Sequence, residues 1–158
     1  MSVQVKVAVS TIIQKNNPSD PTRPLYLMVE EMTEDGLRIN QPSGHLESGE
    51  TPEEGAIREV LEETKHNVYI NSLIGVYMFT RASNGASFLR ICFHGTVSSV
   101  DDSVPEDEDK TKPIWMTYAE IMDREAEHRN PMVRECLENF IDNGYTGVSK
   151  HTVKSFFI

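Results

Sequence analysis

Cysteine is scarce in this chain, and so is positive charge. Only Cys92 and Cys136 are present, one in a predicted strand and one in a predicted helix. Neither a disulfide framework nor a Cys-rich zinc site is indicated; each reads as a small buried hydrophobe, and a reducing compartment fits. No run of about 20 apolar residues exists, and the N-terminus lacks a basic segment leading into an apolar stretch. A membrane partner is therefore not expected, and the expected location is cytoplasmic. Lys and Arg number 15 against 25 Asp and Glu, a formal net charge of −10 at pH 7. Affinity for nucleic acid rests mainly on cations that neutralise phosphates, so a long polyanion is not the expected partner. No internal repeat or dividing linker interrupts the 158 residues, which suits a single domain, 1–158, with a sizeable core.

The acid is concentrated between Glu47 and Glu63 and between Asp101 and Asp109. In the first stretch, Gly44-His45-Leu46-Glu47-Ser48-Gly49-Glu50 leads into a predicted helix. Thr51 serves as its N-cap, Pro52 suits the first helical position, and Glu54 three residues after the cap completes a capping box. The helix is expected over Pro52 to Thr64. A helix advances about 100° per residue, so Glu59, Glu62 and Glu63 share one side while Ile57, Val60, Leu61 and Thr64 fall on the other. The expectation is a core-facing apolar side and an acidic side held out. Like charges so placed repel one another. Hard oxygen ligands suit Mg²⁺ or Mn²⁺, which fill their remaining positions with water and substrate phosphate oxygens. A solvated acidic helix face is the alternative.

The rest reads as a mixture of strands and helices. Val3, Val5, Val7 and Val9 alternate with polar or small residues as in a half-buried strand. Asn16 to Pro24 is a loop, Leu25 to Val29 a strand, Asp35-Gly36 a turn, and Leu37 to Asn40 a short strand. Val68 to Thr80 and Ser87 to Val97 read as a hairpin around Asn84-Gly85. Asp101 to Lys112 is an acidic loop and Ile114-Trp115-Met116 a short strand. Thr117, with Glu120 three residues on, caps another helix. A last helix starts at Asn130-Pro131 and is expected to bury Val133, Leu137, Phe140 and Ile141. In the tail, Phe156, Phe157 and Ile158 read as a packed end or a partner contact.

Gly44, five residues, Glu50, seven residues, then Arg58-Glu59-Val60, one residue, and Glu62-Glu63 resembles the Nudix box, the signature of the Nudix hydrolase family. The pattern departs at its end. Lys65 and His66 stand where the family has a glycine and an aliphatic residue, which leaves the way the helix ends open. Asn40 to Glu47, Phe88 to Phe93, Trp115 and Asn130 to Glu135 extend the resemblance to a bacterial phosphatase subgroup of the same family. The resemblance implies an α/β/α sandwich with a mixed β-sheet. It also implies hydrolysis of a phosphoanhydride in a small nucleoside di- or triphosphate or a thiamine-precursor pyrophosphate, as a monomer or homodimer.

The same resemblance makes Glu59, Glu62 and Glu63 metal ligands, with the Gly44 carbonyl as a further one. Glu59 is alternatively the general base. Glu50 and Arg58 are expected to orient the set through an ion pair, with a plain surface role for Arg58 as the alternative. Many members add a carboxylate from a loop beyond the box. Glu106, Asp107, Glu108 and Asp109 crowd the loop here, and Asp109 is favoured by its distance from Trp115.

Substrate contacts are less specific. Arg90, in a predicted strand, is a candidate phosphate clamp or a surface-facing residue, and His45 touches phosphate or is exposed and idle. Tyr77, Phe79 and Trp115 stack a base or, more commonly for aromatics in strands, pack in the core. His66, His94, His128 and His151 lack ligand spacing. An RNA 5′-end pyrophosphohydrolase is the other enzymatic reading, weakened by the shortage of basic residues. A non-catalytic nucleotide sensor would be expected to lose box carboxylates, all of which are present, and an acidic interaction module would bind no Mg²⁺.

Overall fold

β-Branched residues fill Val5–Lys15, and this segment forms the central strand, β1. The computed structural model describes residues 2, 4–107 and 111–143, together with the strand backbone of 153–157. After the loop at residues 16–24 come β2 (Leu25–Thr33), β3 (Gly36–Asn40), the short β4 (Ser43–His45) and the helix α1 (Pro52–Thr64). A long hairpin, β5 (His66–Thr80) and β6 (Ser87–Val100), is followed by β7 (Lys112–Thr117) and α2 (Tyr118–Asp123). A 3-10 turn at Glu125–Glu127, α3 (Met132–Asn143) and β8 (Val153–Phe157) complete the order.

The sheet runs β3-β2-β1-β6-β5-β8, with β4 paired to β1 and β7 to β2. β1 runs parallel to β6, from Val5 opposite Ser87 to Ile13 opposite Gly95, and β8 runs parallel to β5. The other pairs are antiparallel. Helices cover both faces of this mixed sheet, an α/β/α sandwich. On one face α1 lays Ala56 and Val60 against Val9, Ile13, Leu27 and Phe93. On the other, Val133, Cys136, Leu137 and Phe140 of α3 pack with Ile12, Tyr26 and Tyr77. Each large aliphatic buried in this way stabilises the fold by roughly 1.5–3 kcal/mol.

Double coverage divides β1 in two. Its first part, Val5 to Ala8, is half-buried with Lys6 exposed, as read from the alternation, whereas Val9 to Ile13 are all buried, as expected where a strand has a parallel neighbour and helices on both sides. One open reading is settled and another is corrected. Lys65 takes the left-handed position normally given to glycine, with φ 61°, and its N–H caps the Leu61 carbonyl. Ile141 is 44% exposed; Met132 and Cys136 join Val133, Leu137 and Phe140 on the buried side of α3 instead. Both cysteines are free and buried. The backbone of Phe156 and Phe157 extends the sheet beside β5, whereas Ile158 and His151 lie outside the described residues.

Candidate functional site

The expected cap of α1 is in place: the Thr51 hydroxyl accepts from Glu54 N–H, and the Glu54 carboxylate accepts from Thr51 N–H. This fixes the start of the helix and therefore the direction in which Arg58, Glu59, Glu62 and Glu63 project. They do not all project into water. Glu62 is 52% exposed, but the Glu59 side chain is only 13% exposed. It lies under Gly44 of β4, where any side-chain carbon would overlap its carboxylate. A side chain at 44 would displace the Glu59 carboxylate from this position. Glu63 points back to the same segment, and its Oε1 accepts from Ser43 N–H at 2.6 Å. The acidic side of the helix is thus turned against β4, because β4 reaches across β1 through the pairs Ala8–His45, Val9–Gly44 and Ser10–Ser43.

Burial sets the charge state of these groups. Desolvation pushes the Glu63 carboxyl up to about 9, with repulsion from Glu59, Asp107 and Glu31 acting the same way and the Ser43 hydrogen bond opposing. Glu59 is also raised, first by desolvation, against the pull of Arg58. Asp107 adds to the repulsion on both, so the acidic loop does bring a carboxylate to the cluster. Asp107 is held by Thr111, through its N–H and its hydroxyl. Asp109, the residue favoured from sequence, lies outside the described residues, and Glu106 turns to Lys65 at 2.8 Å.

Arg58 sits at the centre of the acidic set. Its Nε and Nη2 grip both oxygens of Glu50 at 3.0 and 2.7 Å, Nη1 reaches Glu59 at 2.7 Å and Glu62 at 3.4 Å, and Nη2 also donates to the His45 carbonyl at 3.1 Å. These bonds hold Glu50 down to about 2, chiefly through Arg58, and raise Arg58 further above its ordinary value, chiefly through Glu50. A plain surface role for Arg58 does not fit a side chain so engaged.

Among the described residues no three acidic or imidazole groups already converge as a finished metal cluster. Glu59 lends an oxygen to Arg58 and Glu63 one to Ser43, while Glu62 faces solvent. The donor chemistry nonetheless fits a hard divalent cation. Two desolvated carboxylates repel each other, with a third near them, and a cation would relieve that repulsion and take their free oxygens.

Arg90 is neither surface-facing nor free. It is 3% exposed. Its Nε donates to Ser10 Oγ at 2.9 Å, its Nη2 to Asn40 Oδ1 at 3.0 Å and Gln41 Oε1 at 2.7 Å, and its Nη1 to Asn130 Oδ1 at a long 3.5 Å. Segments around residues 40, 90 and 130 carried the resemblance outside the box, and they meet at this guanidinium. The Asn40 amide continues to Ser43 Oγ at 2.8 Å, so Arg90 is tied through Asn40 to the residue that holds Glu63. Spacing could not reveal this cage, since its members are 40 to 80 positions from Arg90.

A pocket of about 380 Å³ is lined by Gly44, His45, Glu63, Phe79, Phe88 and Arg90, while Arg58 and Glu59 lie outside its lining. His45 is exposed and lies near-parallel to Phe88, ring centres 6.5 Å apart. Tyr77 is fully buried, and Trp115 packs against the α1-side core with Lys15 over its ring at 4.0 Å. Neither belongs to the pocket, whereas Phe79 does. Glu31, Arg129, Lys6 and Arg81 also line it and had no signal in the sequence reading.

The NUDIX domain pattern matches residues 6–136, and the chain belongs to the Nudix hydrolase family, enzymes that act on pyrophosphate bonds. Among curated relatives, phosphatase NudJ of Escherichia coli K12 is 32% identical over 112 residues, covering 71% of this chain and 72% of that protein. Among solved structures, a NUDIX hydrolase from Nitrosomonas europaea is 36% identical with a TM-score of 0.80, covering 89% of this chain and 90% of that one. A C. elegans Ap4A hydrolase, 16% identical over 87% of this chain and 96% of its own with a TM-score of 0.64, shares the fold. No helix among the described residues is long and apolar enough to cross a membrane.

Proposed function

We propose that residues 1–158 act as one domain that hydrolyses a phosphoanhydride in a small nucleoside di- or triphosphate or a thiamine-precursor pyrophosphate, with Mg²⁺ or Mn²⁺ as cofactor. The observation that carries this reading is the pair of desolvated carboxylates, Glu59 under Gly44 and Glu63 on Ser43, with Glu63 lining a pocket that also holds a buried arginine. Glu59 and Glu63 hold the cation, and Glu62 and the Gly44 carbonyl complete its protein ligands. When bound, the cation neutralises phosphate charge and lowers the pKa of water.

The chain's own residues do the rest. Arg58, braced on Glu50, fixes the rotamer of Glu59 and keeps part of the acidic charge paired until substrate arrives, a positioning role. Ser43 N–H holds one oxygen of Glu63 and leaves the other for the cation. Glu59 or Asp107 accepts the proton of the attacking water; the electrostatic link of Asp107 to both glutamates supports its candidacy. Arg90 faces the pocket from its cage and attracts substrate phosphate. His45, exposed beside Gly44, contacts the phosphates at the entrance.

The enzyme is expected to work on small substrates as a monomer or homodimer. An RNA 5′ end is the second reading, and it has no observation in its favour beyond the shared chemistry. The test is release of phosphate or pyrophosphate from nucleoside di- and triphosphates, nucleotide sugars, dinucleoside polyphosphates and thiamine-precursor pyrophosphates, with Mg²⁺ and with EDTA. Metal-dependent release from one group is expected. Equal release in EDTA would contradict the cofactor assignment, and binding without release would point to a sensor.

A further inference from the structure

Several cations of this acidic chain are held in ion pairs. Arg23, Arg58, Lys65, Arg124, Arg129 and Arg134 each pair with a carboxylate. Lys6 and Arg81 have no such partner among the described residues, yet both line the pocket. They stand together because β5, β6 and β1 are consecutive in the sheet: Phe79 is opposite Phe88, and Phe88 is opposite Lys6. Phe88 is their common support. The Arg81 guanidinium lies 4.9 Å and the Lys6 ammonium 6.0 Å from its ring centre, a placement that cation–π attraction favours.

The same ring bears on what the pocket can recognise. Phe79 stacks on Phe88 at 4.9 Å with an interplanar angle of 11°, and with two cations also over it Phe88 is only 9% exposed. It offers a nucleobase no free face. What remains at this end of the pocket is unpaired positive charge, continued inward by Arg90 two positions along β6.

The distance to the carboxylates is set by the strands. Ala8 is opposite His45, next to Gly44 over Glu59, and Lys6 is two residues further along β1, roughly 7 Å at strand spacing. A polyphosphate held through a cation on Glu59 and Glu63 would therefore extend toward Lys6 and Arg81. A guanidinium and an ammonium side by side suit phosphate oxygens.

We propose that Lys6 and Arg81, carried on Phe88, form a second anion subsite of this pocket that takes a phosphate beyond the diphosphate that is hydrolysed. The preferred substrates are then small molecules with at least three phosphates, selected by charge and not by base. This rests on the reading of the pocket as a pyrophosphate-cleaving site.

The test compares kcat/KM for ADP, ATP and UTP with Mg²⁺ in the wild type and in a Lys6→Gln, Arg81→Gln double variant. Glutamine keeps part of each aliphatic stem over Phe88 and removes only the charge. The variant is expected to lower the ATP-to-ADP ratio of kcat/KM by about tenfold or more, mainly through KM. ATP and UTP should differ by less than about threefold in the wild type, because Phe88 is covered and the subsite contacts phosphate rather than the base. An unchanged ATP-to-ADP ratio, or a strong preference between ATP and UTP, overturns the subsite. If the wild type cleaves none of the three and no other member of the substrate panel, the pyrophosphate-cleaving reading fails. Titration calorimetry of ATP and ADP then decides the subsite alone: a lower ATP-to-ADP affinity ratio in the variant supports it, and an equal ratio removes it.

Discussion

Arg90 lines the pocket and Arg58 braces the carboxylate set of α1; the two live in opposite surroundings. Arg58 is partly exposed and surrounded by Glu47, Glu50, Glu59 and Glu62. Arg90 is buried and held by a hydroxyl and by amide oxygens, with no carboxylate among the hydrogen-bond partners described for it. A guanidinium among carboxylates is electrically cancelled and acts as a brace. One among neutral dipoles keeps its charge, and in a poorly solvated place that charge is felt across the pocket. The two arginines therefore mark a carboxylate set that suits a cation and a caged positive charge that suits an anion, which is the polarity a metal–phosphate complex requires.

The largest effect expected from disturbing this division is at the acidic end. Glu59→Gln and Glu63→Gln should each lower kcat by about 100-fold or more while circular dichroism stays native, because ligand charge is lost without loss of shape. Near-normal turnover in both would remove the acidic centre from the mechanism. Arg90→Met comes next. It leaves buried oxygens of Ser10, Asn40 and Gln41 without their donor and should destabilise the fold by about 3 kcal/mol in urea titrations. Arg58→Lys, by contrast, should change stability by less than about 1 kcal/mol, as expected for a partly exposed ion-pair set. It should still reduce activity by about tenfold, since Lys cannot reproduce the two-pronged grip on Glu50. Equal stability losses would erase the distinction between brace and caged charge.

A pH series sharpens the contrast further. The Glu63 carboxyl is raised from 4.5 to about 9 in the folded protein, so in the absence of metal the folded state keeps a proton that the unfolded state has released. Stability of the metal-free protein should therefore fall as pH rises from 4.5 towards 9. Mg²⁺ needs the ionised form, so the increase in Tm on adding Mg²⁺ should be larger at pH 8.5 than at pH 6. Differential scanning fluorimetry of the wild type and Glu63→Gln reads both; in the variant the contribution of this group is absent. The smallest effect is at the helix start, where Thr51→Ala should cost about 1 kcal/mol of stability through loss of the cap.

How far the sequence could be read followed how local the causes are. The span and capping of α1 depend on neighbours within a turn or two, and Thr51, Pro52 and Glu54 declared them. The orientation of its acidic face did not follow, because Glu59 is buried by Gly44, which arrives on a different strand. The same reason hid the setting of Arg90, whose cage is assembled from β1, the β3–β4 connection and the start of α3. Ile141 was misplaced because a helical period cannot tell the edge of an apolar stripe from its centre. In the acidic loop, composition offered four carboxylates, of which Asp107 acts electrostatically on Glu59 and Glu63 while Glu108 and Asp109 lie outside the described residues.

The most direct test of the account is Mn²⁺ binding followed by electron paramagnetic resonance in the wild type and in Glu63→Gln. The account predicts a site in the wild type that weakens by about tenfold or more in the variant. Equal affinity in the two proteins would contradict the assignment of the buried glutamates to the cation.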